Sequence, residues 1–153
     1  MGKLAELLGP KVYLDTNIFI YIVEGYELHA TAIKALLAAL DAGDIVAVTS
    51  ELTLAEALVK PLRDENASTA VAYQKLLRPS AGLRTLPVSR EILEEAAGIR
   101  AANNVSLADA IHLSSYVNGD CDSFLTNDKS LKGVASVNLR LLSDVTSLTQ
   151  SVL

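Results

Sequence analysis

A single cysteine, Cys121, rules out two architectures at once: an intramolecular disulfide and a zinc site built on cysteines. A reducing compartment fits such a chain. Tryptophan is absent and aromatics make up only 5% of the residues, so the core must be built from Ala, Leu, Ile and Val. No apolar run is long. The longest, Ile18 to Val23, falls far short of the ~20 residues that cross a bilayer. The opening segment MGKLAELLGP lacks the apolar centre of a signal peptide. The expectation is a soluble cytoplasmic protein. Positive charge is also scarce: 13 Lys and Arg stand against 18 Asp and Glu, a formal charge of −5. That argues against a protein that grips nucleic acid through a broad basic surface. It leaves room for a nuclease whose own carboxylates hold the metal that meets the phosphate.

What is present is a globular composition, half hydrophobic and one fifth charged, over 153 residues. A chain of this length reads as one domain, residues 1–153, and buries roughly 68–70% of its unfolded surface. No linker, repeat or low-complexity stretch interrupts it. Short β-branched runs alternate with helical stretches, the signature of an α/β fold with a mainly parallel sheet. Strands are expected at Lys11–Leu14, Ile45–Val48, Leu83–Val88, Ser123–Thr126 and Val137–Leu142, with Pro87 marking the third as an edge or a strand end. Helices are expected at Thr16–Glu24, Glu27–Asp41, Glu51–Val59, Asp64–Leu77, from Ser89 to Asn103, from Ser106 to Asn118, and from Asp144 onward.

Ligands of open α/β sheets bind beyond the carboxyl ends of the strands. Acids at strand ends, and acids inside apolar helices, are therefore the informative ones. Asp15 directly follows the first strand and could equally cap the next helix. Asp128 follows the strand Phe124-Leu125-Thr126 and suits a turn. Glu56 lies among Leu and Ala. Its bland reading is a solvent-facing acid or the partner of Thr53 in a capping box, and Glu51 competes with it by lying nearer the strand. Asp109 sits in Ala108-Asp109-Ala110-Ile111-His112-Leu113, a helix apolar nearly all round and hence expected to be buried. A carboxylate there is costly unless paired or metal-bound; its bland reading is a capping box, Ser106 with Asp109 at the third helical position. Together the four form an oxygen-donor set suited to Mg²⁺ or Mn²⁺. His112 reads as a packed or hydrogen-bonded core histidine and His29 as a surface residue. Lys60, Arg63, Lys129 and Lys132 are candidates for local positive charge.

The strand ending in Asp15-Thr16-Asn17, the Glu56 helix, the Asp109 helix and Thr126-Asn127-Asp128-Lys129 resemble, in order and context, the PIN-domain family. The likeness is greatest to the toxin ribonucleases of VapBC-type toxin–antitoxin pairs, and it spans nearly the whole chain. It implies a three-layer α/β/α sandwich with a central parallel sheet, one or two Mg²⁺ or Mn²⁺ ions, and endonuclease action on RNA leaving 5′-phosphate and 3′-hydroxyl ends. It also implies a homodimer and a small antitoxin protein. By position, Asp15, Glu56, Asp109 and Asp128 match the family's acids and Thr126 its strand-end hydroxyl, with Asn17 and Ser106 as supports. The first three acids would coordinate metal, and Asp128 would hold a second ion or orient the nucleophile. Residues 1–10 form a lead longer than in many such toxins, with covering a sheet edge as one role open to it.

Three other readings are weighed. A phosphatase of the haloacid dehalogenase type also places Asp after its first strand, but wants a second Asp where Asn17 stands. A non-catalytic PIN-like module would bind protein or RNA without cutting. A DNA-directed nuclease remains open because nothing in the sequence distinguishes the 2′-hydroxyl of RNA.

Overall fold

A computed structural model describes residues 2–150. Five strands form one sheet: β1 (Lys11–Leu14), β2 (Val46–Ser50), β3 (Leu83–Leu86), β4 (Ser123–Thr126) and β5 (Leu139–Leu141). Their order is β3-β2-β1-β4-β5 and every pairing is parallel. β3 is an edge strand and stops one residue before Pro87, which has no N–H to give a ladder.

Alternation along the central strands sorts the core into two layers. Val12 and Leu14 of β1, Ala47 of β2 and Leu125 of β4 face one side. There they meet α1 (Lys3–Leu8), α2 (Thr16–Glu24), α3 (Ala30–Asp41), α5 (Ala67–Leu76) and α8 (Leu142–Gln150). Tyr13, Val48 and Phe124 face the other side and pack on Leu113 and Tyr116 of α7 (Leu107–Asn118). Behind α7 lies α6 (Arg90–Ala102), whose Ile92 and Ala96 meet Ala110 and Ile111. The result is the three-layer α/β/α arrangement expected, with the sheet wholly rather than mainly parallel. α7 is buried without interruption from Ala110 to Tyr116, as its nearly unbroken apolar sequence requires.

Several boundaries differ from expectation for identifiable reasons. α4 (Glu51–Arg63) does not stop before Pro61 but carries it in its last turn. There the missing N–H removes only the bond to the Ala57 carbonyl. The chain then turns through Glu65, at φ 55°, and Asn66 caps α5 by accepting from Thr69 N at 3.2 Å. The helix expected from Asp64 therefore begins at Ala67. The stretch from Glu27 opens with a 3₁₀ turn, Glu27–His29, before α3. Residues 3–8, expected only as a lead segment, form α1. Its Leu4, Ala5 and Leu8 are buried, and it packs on α3 and α8. No helix among the described residues is long and apolar enough to cross a membrane.

Candidate carboxylate centre

β1 and β4 are neighbours, yet the chain leaves β1 towards β2 and leaves β4 towards β5. Their carboxyl ends thus flank the point where strand order reverses, the usual ligand crevice of such sheets. Leu14 lies opposite Leu125. One residue on, Asp15 N donates to the Leu125 carbonyl at 3.0 Å. Asp15 caps α2: its Oδ1 accepts from Thr16 N at 2.8 Å. Its Oδ2 accepts from Thr126 Oγ1 at 2.7 Å and from Asn17 Nδ2 at 3.4 Å. Asn17 also donates to Thr126 Oγ1 at 3.0 Å, and its Oδ1 accepts from Asn127 N at 3.1 Å. Asp128 N donates to Thr126 Oγ1 at 3.0 Å. These bonds lace the two strand ends together and hold Asp15, only 6% exposed, in one orientation. Asp128 in turn caps the 3₁₀ turn Lys129–Leu131 by accepting from Ser130 N at 2.9 Å.

On the other side of the crevice, Glu56 of α4 reaches His112 of α7. Its Oε1 lies 2.6 Å from His112 Nε2 and accepts from Thr16 Oγ1 at 2.7 Å. His112 is 1% exposed, and its Nδ1 is 2.7 Å from the Tyr13 hydroxyl. A carboxylate can only accept, so Nε2 carries a proton towards Glu56. In the neutral imidazole, Tyr13 then donates to Nδ1. Burial, reinforced by the charge of Asp15, pushes the Tyr13 hydroxyl well above the ordinary tyrosine range, so it keeps its proton. Burial alone would raise Glu56. The His112 hydrogen bond and charge, with Thr16, outweigh it and hold the carboxyl below its usual range. Burial would likewise lower His112, but its bond to Glu56 and the charges of Asp15, Glu56 and Asp109 raise it. The capping-box reading of Glu56 fails. Ser50 caps α4, and the Thr53 hydroxyl pairs with Thr49 at 2.8 Å. Glu56 is itself exposed, as is Glu51, its rival at the first position of the helix, but Glu56 carries the bonds to His112 and Thr16.

Asp109 is the third residue of α7, and its N–H donates to the capping Ser106 Oγ at 3.1 Å. Burial pushes its carboxyl above the ordinary range. The charges of Asp15 and Asp128 add to that rise against the opposing effects of Ser106 and His112. Asp109 therefore lies in the field of both Asp15 and Asp128. Among the described residues, no three His, Cys, Asp or Glu side chains are drawn together closely enough to clasp an ion.

Two partners were not picked out as functional by sequence reasoning. His112 is buried and hydrogen-bonded as expected, but its bonds go to Glu56 and Tyr13 rather than to inert core groups. The available signal was its position one helical turn after Asp109, which puts both on one face. Thr16, which bonds Glu56, stands beside Asp15 in sequence and carried no separate signal. Lys60, Arg63, Lys129 and Lys132 are all exposed.

The PIN domain family model matches residues 12–137. No curated protein matches the chain. Among solved structures, the chain is similar to VapBC2 from Rickettsia felis, bound to a promoter DNA fragment, with 16% identity and a TM-score of 0.68. That match covers 86% of this chain and 98% of the other. It is similar to a toxin–antitoxin complex from Klebsiella pneumoniae, with 20% identity, a TM-score of 0.64 and coverage of 86% and 97%. It is also similar to VapC20 of Mycobacterium tuberculosis, described as a sarcin-ricin loop cleaving toxin, with 22% identity, a TM-score of 0.63 and coverage of 83% and 98%. At these identities the likeness is one of fold.

Proposed function

The chain belongs to the PIN-domain family, and on that premise we propose that it hydrolyses RNA phosphodiester bonds with a divalent ion, Mg²⁺ or Mn²⁺, held by Asp15, Glu56, Asp109 and Asp128. The observation that carries this reading is the position of Asp109. It stands in the negative field of Asp15 and Asp128 near the switch point of the sheet, with its carboxyl pushed up by burial first and by those two charges in addition. A cation between these groups removes that repulsion. The donors are all carboxylate oxygens, the chemistry that hard divalent ions take. The residues thus fit such an ion by kind and by charge.

Bound there, the ion would supply a water of lowered pKa and neutralise charge on the phosphate. The chain's own residues do the rest. Thr16 N, Thr126 and Asn17 fix the Asp15 carboxylate. His112 and Thr16 fix Glu56. Asp128, just past the β4 end, would hold a second ion or orient the attacking water, with Ser106 and Asn17 as supports. The cut leaves a 5′-phosphate and a 3′-hydroxyl. The same reading makes the protein the toxin of a toxin–antitoxin pair, active as a homodimer and blocked by a small antitoxin protein.

The test uses a fluorescent RNA, the purified protein, and titrations of Mn²⁺ and Mg²⁺ against EDTA. Cleavage should require the metal and fall to background in Asp15→Asn and in Asp109→Asn, with circular dichroism unchanged. Full activity in both variants, in a preparation free of contaminating nuclease, contradicts the assignment. Failure to bind either metal would leave a protein- or RNA-binding module instead.

A further inference from the structure

Beside the carboxylates lies a cavity of 460 Å³, lined by Leu28, His29, Asn127, Lys129 and, from one face of α8, Ser143, Thr146 and Ser147. Its volume falls within the ~300–1,000 Å³ range typical of small-ligand pockets. Its character is unlike that of the chain. The protein carries a net charge of −5, yet among the described residues none of those lining this cavity is acidic, and Lys129 supplies a cation. Leu28 is 84% exposed, a large apolar side chain held out at the rim. The His29 ring lies against Tyr21, with centroids 4.4 Å apart, and Tyr21 is itself packed edge-on by Tyr26 at 5.2 Å.

A continuous set of contacts joins this cavity to the carboxylate centre. Asp15 bonds Asn17, and Asn17 Oδ1 accepts from Asn127 N. The Asn127 amide donates to the Tyr21 hydroxyl at 2.9 Å, and Tyr21 carries His29. Asn127 is thus a wall of the cavity and the immediate neighbour of Asp128. We infer that this cavity is a subsite for a ribonucleotide of the strand being cut, flanking the one whose phosphate meets the carboxylates. The inference rests on the nuclease reading and specifies its substrate.

The chemistry of the lining favours that occupant. Leu28 and the His29 ring offer a face to a base, and stacking of this kind tolerates any sequence. Lys129 meets a phosphate. Thr146 Oγ1 already gives its proton to the Leu142 carbonyl at 3.1 Å. Towards a ligand it can therefore only accept, which suits the 2′-hydroxyl of ribose as donor. The Asn127 amide, tied to Tyr21, leaves its carbonyl oxygen as a further acceptor.

The experiment measures binding and cleavage separately. Fluorescence anisotropy in EDTA, where no metal-dependent cutting interferes, follows labelled oligouridylates of two to eight nucleotides on the wild type and on Leu28→Ala with Thr146→Val. The wild type should gain affinity once the oligomer is long enough to reach the cavity. The double variant should lose about tenfold of that gain while binding the dinucleotide as the wild type does. With Mn²⁺ added, the same variant should show a raised KM and an unchanged kcat on the longer substrates. Equal binding of long oligomers by wild type and variant overturns the subsite. So does an oligodeoxyuridylate that binds as tightly as its ribose counterpart. Length-dependent binding lost in the variant, without any metal-dependent cleavage, upholds the subsite and instead removes the nuclease reading beneath it.

Discussion

Single side chains divide here into those that hold the centre in shape and those that are held at a cost. Asp109 is of the second kind. Its carboxyl titrates above its unfolded range, so folding favours the protonated form. The stability it lends is present below the unfolded aspartate pKa and is lost as pH rises through the folded one. At neutral pH, in EDTA, Asp109→Asn should therefore melt no lower than wild type, and by this argument higher, while losing RNA cleavage. Thermal unfolding reads the first result, and a Tm several degrees below wild type contradicts it. Saturating Mn²⁺ should raise the wild-type Tm, with stabilisation of about 2.7 kcal/mol at a hundred times Kd, and should raise that of Asp109→Asn much less.

Glu56 and His112 are of the first kind, and the pH signs are opposite for the two. Glu56, lowered, contributes stability that is present above its ordinary value of 4.5 and lost as pH falls through the folded value. His112, raised, contributes stability that is present below 6.5 and lost as pH rises through its folded value. In EDTA, the gap in Tm between wild type and Glu56→Gln should be widest between those two values and close on either side. A gap that does not change with pH contradicts the ion pair. Removing the Tyr13 hydroxyl leaves His112 Nδ1 buried without its hydrogen-bond partner, so Tyr13→Phe should cost about 1–3 kcal/mol in urea unfolding.

Strands and helices were legible in the sequence wherever one pattern governed them. β1, β4, α2 and α7 lie where apolar runs and caps put them, because each run meets a residue that ends it: Gly25 after α2, and Ser106 before α7. α4 ran on because a proline's cost depends on its place in a helix. α1 was missed because six residues carry too little periodicity to declare themselves, and its stability comes from tertiary burial. The same holds for the centre. The four acids were visible at strand ends and in apolar helices. The bonds from His112 to Tyr13 and Glu56 were not, since they join residues 99 and 56 positions apart.

The N-terminal element has testable weight. Leu8 is 1% exposed, and its carbonyl accepts from Ser123 Oγ at 2.6 Å. Leu8→Ala should cost about 2–5 kcal/mol in urea unfolding; a cost under ~0.5 kcal/mol would mean that α1 is an appendage. Gly9 turns the chain from α1 into β1 at φ 82°, and a Cβ there would lie 2.4 Å from that of Asp122. Gly9→Ala should therefore also destabilise, by at least about 1 kcal/mol.

Taken whole, the molecule solves a charge problem by topology. An acidic chain with few cations cannot hold a polyanion by its general surface. Its parallel sheet reverses strand order between β1 and β4, and Asp15 and Asp128 follow those two strand ends, with Asp109 of α7 in their field. Polar side chains tie down Asp15 and Glu56, and the Ser130 N–H holds Asp128, while Asp109 stays in the field of Asp15 and Asp128. Activity should accordingly depend on the metal more steeply than on any single lysine. Lys60→Ala and Arg63→Ala, at exposed positions on α4, should each change kcat by less than about threefold, since isolated surface charges contribute little.

The most direct test is a crystal of the protein soaked in Mn²⁺, with the ion located by its anomalous scattering. The account predicts a peak between Asp15 and Asp109, with carboxylate oxygens of both coordinating it directly or bridged to it by water. Full soaking with no peak at the crevice, or an ion bound only elsewhere on the molecule, would contradict it.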